Sequence, residues 1–168
     1  MTRAVPSPGS TTEAELRSAH RAIVEKYLST TEADRRNRYL LFTENGTAAL
    51  FFTDVGRPIV VRGRERLREH GELSLKVLPD WRWHDVTIFE TQDPNRFWVE
   101  CTGSGRILFP GYPPGVYRNH FVHSFEFADG GIVAAREFTN PIEHMRALSI
   151  DTPRIARDWI PAEPGGVR

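Results

Sequence analysis

Apolar side chains return every three or four positions between residues 12 and 29, where Leu16, Ile23, Val24, Tyr27 and Leu28 share one stripe. The spacing predicts a helix with one buried face, and Thr12 with Glu15 has the form of a capping box at its start. TEADRRNRYLLF predicts a second helix from Thr31, with Asp34 and Arg38 one turn apart. The β-branched and aromatic run TAALFFTD and the apolar run PIVVRG then predict a hairpin, turning at Asp54 to Arg57. Helical period comes back from Gly63 to Leu78, with Leu67, His70, Ser74 and Val77 on one stripe and Leu73 and Leu75 beside it, and Pro79 ends it.

Beyond Pro79 the chain reads as strands. WRWHDVTIFE, RFWVECTGSGRILFPG, VYRNHFVHSFEFA and GIVAAREFT are separated by DPN, GYPPG and DGG turns, which predicts an antiparallel meander. PIEHMRAL closes the pattern as a helical turn or two. Helices first and strands afterwards, with no alternating βαβ units, give the class α+β: a cone-like, curved antiparallel sheet wrapped around N-terminal helices. Gly103 and Gly105 in the longest strand would let that sheet bend, and a sheet curved around helices encloses a pocket.

Composition narrows the partners. The chain has 168 residues, enough for one domain with a cavity, and 22 Lys+Arg balance 22 Asp+Glu, so no polyanion such as nucleic acid is called for. A single cysteine, Cys101, excludes an internal disulfide and points to a reducing, cytoplasmic compartment; no Cys/His spacing suggests a metal. Residues 1–10 read as a disordered arm, 11–160 as the domain and 161–168 as a flexible tail. No apolar run approaches the roughly 20 residues needed to span a bilayer.

Few residues carry chemistry, and each has two readings. His70 and Ser74 lie four apart on a stripe with Leu67 and Val77, so both could face a pocket, the imidazole serving as acid or base. The alternative is a satisfied core histidine and a serine bonded back to its own helix. Strand alternation puts Glu137 on the face of Val133 and Ala135. An apolar pocket there would raise its pKa towards neutrality and make it a general acid; the alternative is an ion pair or an edge in water. Tyr117 shares the parity of Phe121, His123 and Phe125, so its phenol could bind a polar atom or merely pack. Arg38 could clamp a carboxylate or pair with Asp34 on the helix surface. The aromatics Trp81, Trp83, Phe89 and Trp98 read as core.

The runs LFTENGTAAL, RGRERLREHGELSLKVLPDW, FETQDPNRFWVEC, GRILFPGYPPGVYRNHFVHSFEF and REFTNPIEHMRALSI resemble the PhzA/PhzB family of phenazine biosynthesis proteins, over about residues 12 to 160. That resemblance implies the fold of nuclear transport factor 2 and ketosteroid isomerase, a homodimer, and work beside other phenazine pathway enzymes. It also implies the reaction: two molecules of 6-amino-5-oxocyclohex-2-ene-1-carboxylate, an aminoketone carboxylate, condense to the tricyclic hexahydrophenazine-1,6-dicarboxylate without cofactor or metal. By match to the family, His70 and Glu137 would be the catalytic pair, and Ser74, Tyr117 and Arg38 would bind substrate. A non-catalytic binding or scaffold protein of the same fold, or another cofactor-free lyase or isomerase, stays open beside it.

Overall fold

The computed structural model describes residues 12–157 and 159–161. The arm expected at 1–10 and, Pro161 aside, the tail expected at 161–168 lie outside the described residues. Helices α1 (Glu13–Tyr27) and α2 (Glu32–Asn37) come first, and a 3-10 turn (Arg38–Leu41) follows α2. Thr12 and Glu15 form the capping box at α1: the Thr12 side chain accepts from the Glu15 N–H while Glu15 reaches back to the Thr12 N–H at 2.8 Å. Thr31 caps α2 in the same manner.

Strand β1 (Phe42–Leu50) leads into β2 (Ile59–Arg62), helix α3 (Arg64–Val77), and then β3 (Arg82–Glu90), β4 (Arg96–Ile107), β5 (Gly115–Ala128) and β6 (Gly131–Thr139). Helix α4 (Pro141–Ala147) comes last, opened by an Asn140 cap and Pro141. Among the described residues the six strands form one curved, unclosed sheet in the order β2-β1-β6-β5-β4-β3. The meander β3 to β6 is antiparallel as the turns predict.

Three expectations need correction. First, the second helix ends at Asn37 and not at the end of TEADRRNRYLLF, and β1 starts at Phe42, five residues earlier than Thr47, so Glu44, Asn45 and Gly46 belong to the strand. A Cβ at Gly46 would stand 2.6 Å from the Ile132 carbonyl oxygen, so only glycine lets β1 lie this close to β6. Second, β1 and β6 run parallel, because α3 and the whole meander lie between them and bring β6 back in the direction of β1. Third, β4 ends at Ile107, so the loop through Pro110 and Pro113 is longer than a tight turn. Gly103 also does more than permit bending: a Cβ there would overlap the Trp81 ring, so its absence seats the indole against β4.

Strand parity decides what is buried. Phe97, Val99 and Cys101 of β4 and Phe121, Phe125 and Phe127 of β5 point to the concave face and meet Val24 and Tyr27 of α1. Each such phenylalanine contributes about 1.5–3 kcal/mol by leaving water. Trp98 and Phe89, of the opposite parity, stand half exposed on the convex face, where Trp98 stacks on Phe138. The four aromatics read as core therefore divide: Trp81 and Trp83 face inwards, Phe89 and Trp98 do not. Among the described residues no helix is long and apolar enough to cross a membrane.

Candidate active site

At the end of the concave face away from Phe97, side chains from α2, α3, β3, β5, β6 and α4 leave a cavity of about 410 Å³. That size falls in the range of small-molecule sites. Its floor is aromatic, formed by Tyr27, Trp81, Trp83 and Phe121, while Phe52, Phe109 and Tyr112 stand at its wall with much of their surface exposed or half-buried. All five candidate residues, Arg38, His70, Ser74, Tyr117 and Glu137, line it. Among the described residues no group of three or more His, Cys, Asp or Glu side chains could hold a metal ion.

Glu137 reaches the cavity because β6 alternates: Ala135, Glu137 and Thr139 face inwards, while Arg136 turns to the other side and binds Glu126 at 2.8 Å. Its cross-strand partner is His123 of β5, whose Nδ1 lies 3.8 Å from Glu137 Oε2. His123 does not serve as a counter-ion. Its ring is fully enclosed, stacked on Phe121 and Phe125 and met edge-on by Tyr27 and Trp83, and that burial, with Arg38's charge, pushes its pKa down to about 3. A neutral imidazole offers a carboxylate no charge. Glu137 keeps 33% of its side chain open to the cavity, yet the walls around it remove enough water to push its pKa up to about 7 against the opposing pull of Arg38.

Arg38 is the charged hub of this wall. Its guanidinium carbon lies 4.7 Å from the centre of the Tyr27 ring, and Nη2 donates to the Ser29 carbonyl at 3.3 Å. Its Nε is buried with no hydrogen-bond partner among the described residues. The surface pairing with Asp34 is overturned, because Asp34 bonds Lys26 and Ser29, each at 2.5 Å. Arg38's charge opposes protonation of its neighbours. Desolvation at the cavity wall first, and Arg38's charge second, lower the pKa of His70, although part of its surface stays exposed. His70 is thus neutral at pH 7, a proton acceptor.

Ser74, one turn after His70 on α3, does not bond its own helix. Its Oγ accepts from Arg35 Nη2 at 3.3 Å, and the Ser74 carbonyl accepts from the same nitrogen at 3.1 Å. Tyr117 is 7% exposed, and its oxygen accepts from Asn119 Nδ2 at 2.9 Å, so its ring is not there for packing alone. Burial raises its pKa.

Sequence reasoning missed three residues. Arg35, buried at 4% exposure, ties α2 to the end of α3 through Ser74 and the Pro79 carbonyl, 3.4 Å away. A buried arginine on a short, charged helix has no sequence signal, because Arg36 beside it is equally charged and lies outside. His123 had one: its parity with Tyr117 and Phe121 put it on the inner face. His144 of α4 packs on Tyr117 with ring centres 5.2 Å apart and also lines the cavity. The helical turn holding it is too short to show periodicity.

Residues 1–162 match the family model for phenazine biosynthesis protein A/B. The phenazine biosynthesis protein PhzB1 of Pseudomonas aeruginosa is 55% identical over 153 residues, covering 91% of this chain and 94% of that protein. PhzB of Pseudomonas fluorescens is 53% identical, covering 90% and 94%. Among solved structures, the phenazine biosynthesis-related protein PhzB2 of Pseudomonas aeruginosa superposes with a TM-score of 0.85 at 53% identity, covering 89% of this chain and 97% of that one. A protein with a ketosteroid isomerase-like fold from Catenulispora acidiphila superposes with a TM-score of 0.59 at 13% identity, over 80% and 97%. The curved sheet and its helices are that fold.

Proposed function

The chain belongs to the phenazine biosynthesis protein A/B family and has its role in phenazine biosynthesis; from that premise we propose that it catalyses the double condensation of 6-amino-5-oxocyclohex-2-ene-1-carboxylate. The observation that carries this reading is Glu137: a carboxyl on the wall of an aromatic-floored cavity, beside a neutral histidine, with its pKa pushed up to about 7. Such a group is about half protonated at neutral pH and can both give up and regain its proton.

The chemistry needs that proton. Each amine nitrogen attacks the other molecule's ketone carbon, the ketone oxygen takes a proton as the nitrogen gives one up, and a carbinolamine forms. Its hydroxyl leaves as water once protonated, and the nitrogen loses a proton to complete the C=N bond. Done twice, this gives the hexahydrophenazine-1,6-dicarboxylate and two waters, with no net oxidation, so neither cofactor nor metal enters the balance. Glu137 donates to the oxygen. His70, neutral because desolvation and Arg38 hold its pKa down, accepts the proton from nitrogen. Arg38, with its unpartnered Nε, holds a substrate carboxylate, and Ser74 and Tyr117 fix polar atoms nearby. Holding both molecules in one cavity turns a bimolecular encounter into an intramolecular one. The same proposal has the protein working as a homodimer in the cytoplasm, alongside the pathway's other enzymes.

The test is to supply the aminoketone and follow tricycle formation above the spontaneous rate. Wild type accelerates it, and Glu137→Ala and His70→Leu lose most of the acceleration. If both variants match wild type, proton transfer by this pair is wrong and passive binding takes its place.

A further inference from the structure

Asn119 stands on the inner face of β5, two residues beyond Tyr117, at 5% exposure. All of its hydrogen-bonding capacity is used. Oδ1 accepts from the backbone N–H of His120 at 2.8 Å and, less closely, of Asn140 at 3.4 Å. Nδ2 donates to the Asn140 carbonyl at 2.8 Å and to Tyr117 Oη at 2.9 Å. Two backbone N–H groups can only donate and a backbone carbonyl can only accept, so the surroundings fix which end of the amide is oxygen. The nitrogen must face Tyr117.

A phenol that accepts from an amide N–H keeps its own proton for something else. Among the described residues the nearest group is the Thr139 hydroxyl, close enough to help hold the phenol's pKa down but not placed for a well-formed hydrogen bond. That hydroxyl is buried and also lines the cavity. We infer that Asn119 is a positioning residue that turns the Tyr117 proton towards the cavity, so that this wall takes an acceptor oxygen of the ligand, ketone or carboxylate, in preference to its amine. This deepens the proposed condensation and rests on it for the identity of the ligand. In that reaction it orients each aminoketone with an oxygen at Tyr117. The donated N–H also polarises the phenol, opposing the rise that burial imposes on its pKa.

The test uses stable probes and calorimetry on the full chain: 3-oxocyclohexane-1-carboxylate, which has acceptor oxygens, and cyclohexylamine, which has none. Tyr117→Phe and the isosteric Asn119→Asp should each weaken keto-acid binding roughly tenfold, as expected for one lost hydrogen bond to a charged or polarised acceptor. The aspartate would draw the phenol proton away from the cavity. In the Tyr117→Phe background, Asn119→Asp should add nothing, and neither change should weaken cyclohexylamine. A merely structural Asn119 would weaken the keto acid equally in both backgrounds, and that additivity overturns the inference. Should Asn119→Asp fail to fold, 3-fluorotyrosine at Tyr117, a stronger donor and weaker acceptor, decides: tighter keto-acid binding supports the donor, weaker binding overturns it. Aminoketone condensation followed in parallel keeps the two claims apart. No acceleration by wild type with the coupling intact sinks only the reaction; acceleration with an additive cycle sinks only the donor.

Discussion

Two histidines on the concave side of the same sheet meet opposite fates. His20, on α1, is 2% exposed, stacks on Phe127 at 4.2 Å between ring centres, and has Nδ1 2.9 Å from the Pro94 carbonyl. His123, at the cavity end, is as deeply buried, yet its Nε2 finds no partner among the described residues and its Nδ1 faces Glu137 across 3.8 Å. At the first end side chains fill the space, and among the described residues no buried side-chain polar atom there is left unpaired. At the second, space is left, and polar atoms of Arg38, Trp83, His123 and Thr139 stay unpaired. Unpaired buried polar groups cost free energy, and a fold tolerates them where a ligand supplies the partners.

The sharpest way to break this contrast is at Glu137. Glu137→Gln should lower condensation by roughly 10²–10⁴-fold, the usual yield of a positioned acid, while the fold survives. The substitution should also change the pH dependence of stability. Folding raises this carboxyl from 4.5 to about 7, so the folded state holds the extra proton between those values. Its share of stability is full below about 4.5, is lost as pH rises to about 7, and is level above. Denaturant melts across pH 4 to 8 should show that slope in the difference between wild type and Glu137→Gln, because His123, neutral in the fold and charged in the unfolded chain below about 6.5, adds an opposite slope to both proteins.

At the filled end the effect should reverse. Phe97 is fully buried, so Phe97→Ala should cost about 3–5 kcal/mol in denaturant melts, with the activity of each folded molecule unchanged. Arg38→Leu comes next: carboxylate affinity should fall about tenfold, the loss of one charge-assisted pair. Because Arg38 holds the Glu137 pKa down and the His70 pKa down, both should rise in that variant, seen as upward shifts in carboxyl and imidazole NMR titrations. The smallest effect belongs to the cap, where Thr12→Ala should cost about 1 kcal/mol and leave the cavity unaffected.

Element types and order were legible because parity and helical period are local: the stripe of α1, the alternation of β4 and the inward side of Glu137 all follow from spacing. What was hidden depends on contacts between distant segments. Nothing local marks Gly46 as a strand residue before Ile132 lies against it, and the parallel β1–β6 pairing has no local signature. Trp81 and Trp98 carry the same residue type and differ only in which side of the sheet they leave. The five site residues gather at one cavity, but the neutral state of His123 and the amide lock on Tyr117 arise from neighbours that no spacing reveals.

The measurement that bears most directly on the central claim is a titration of the Glu137 carboxyl, by carbon-13 NMR with Glu137→Gln to assign the signal, beside the pH profile of condensation. The account predicts a midpoint near 7, with activity falling as pH rises through it. A midpoint near 4.5, with activity indifferent to Glu137→Gln, would contradict it.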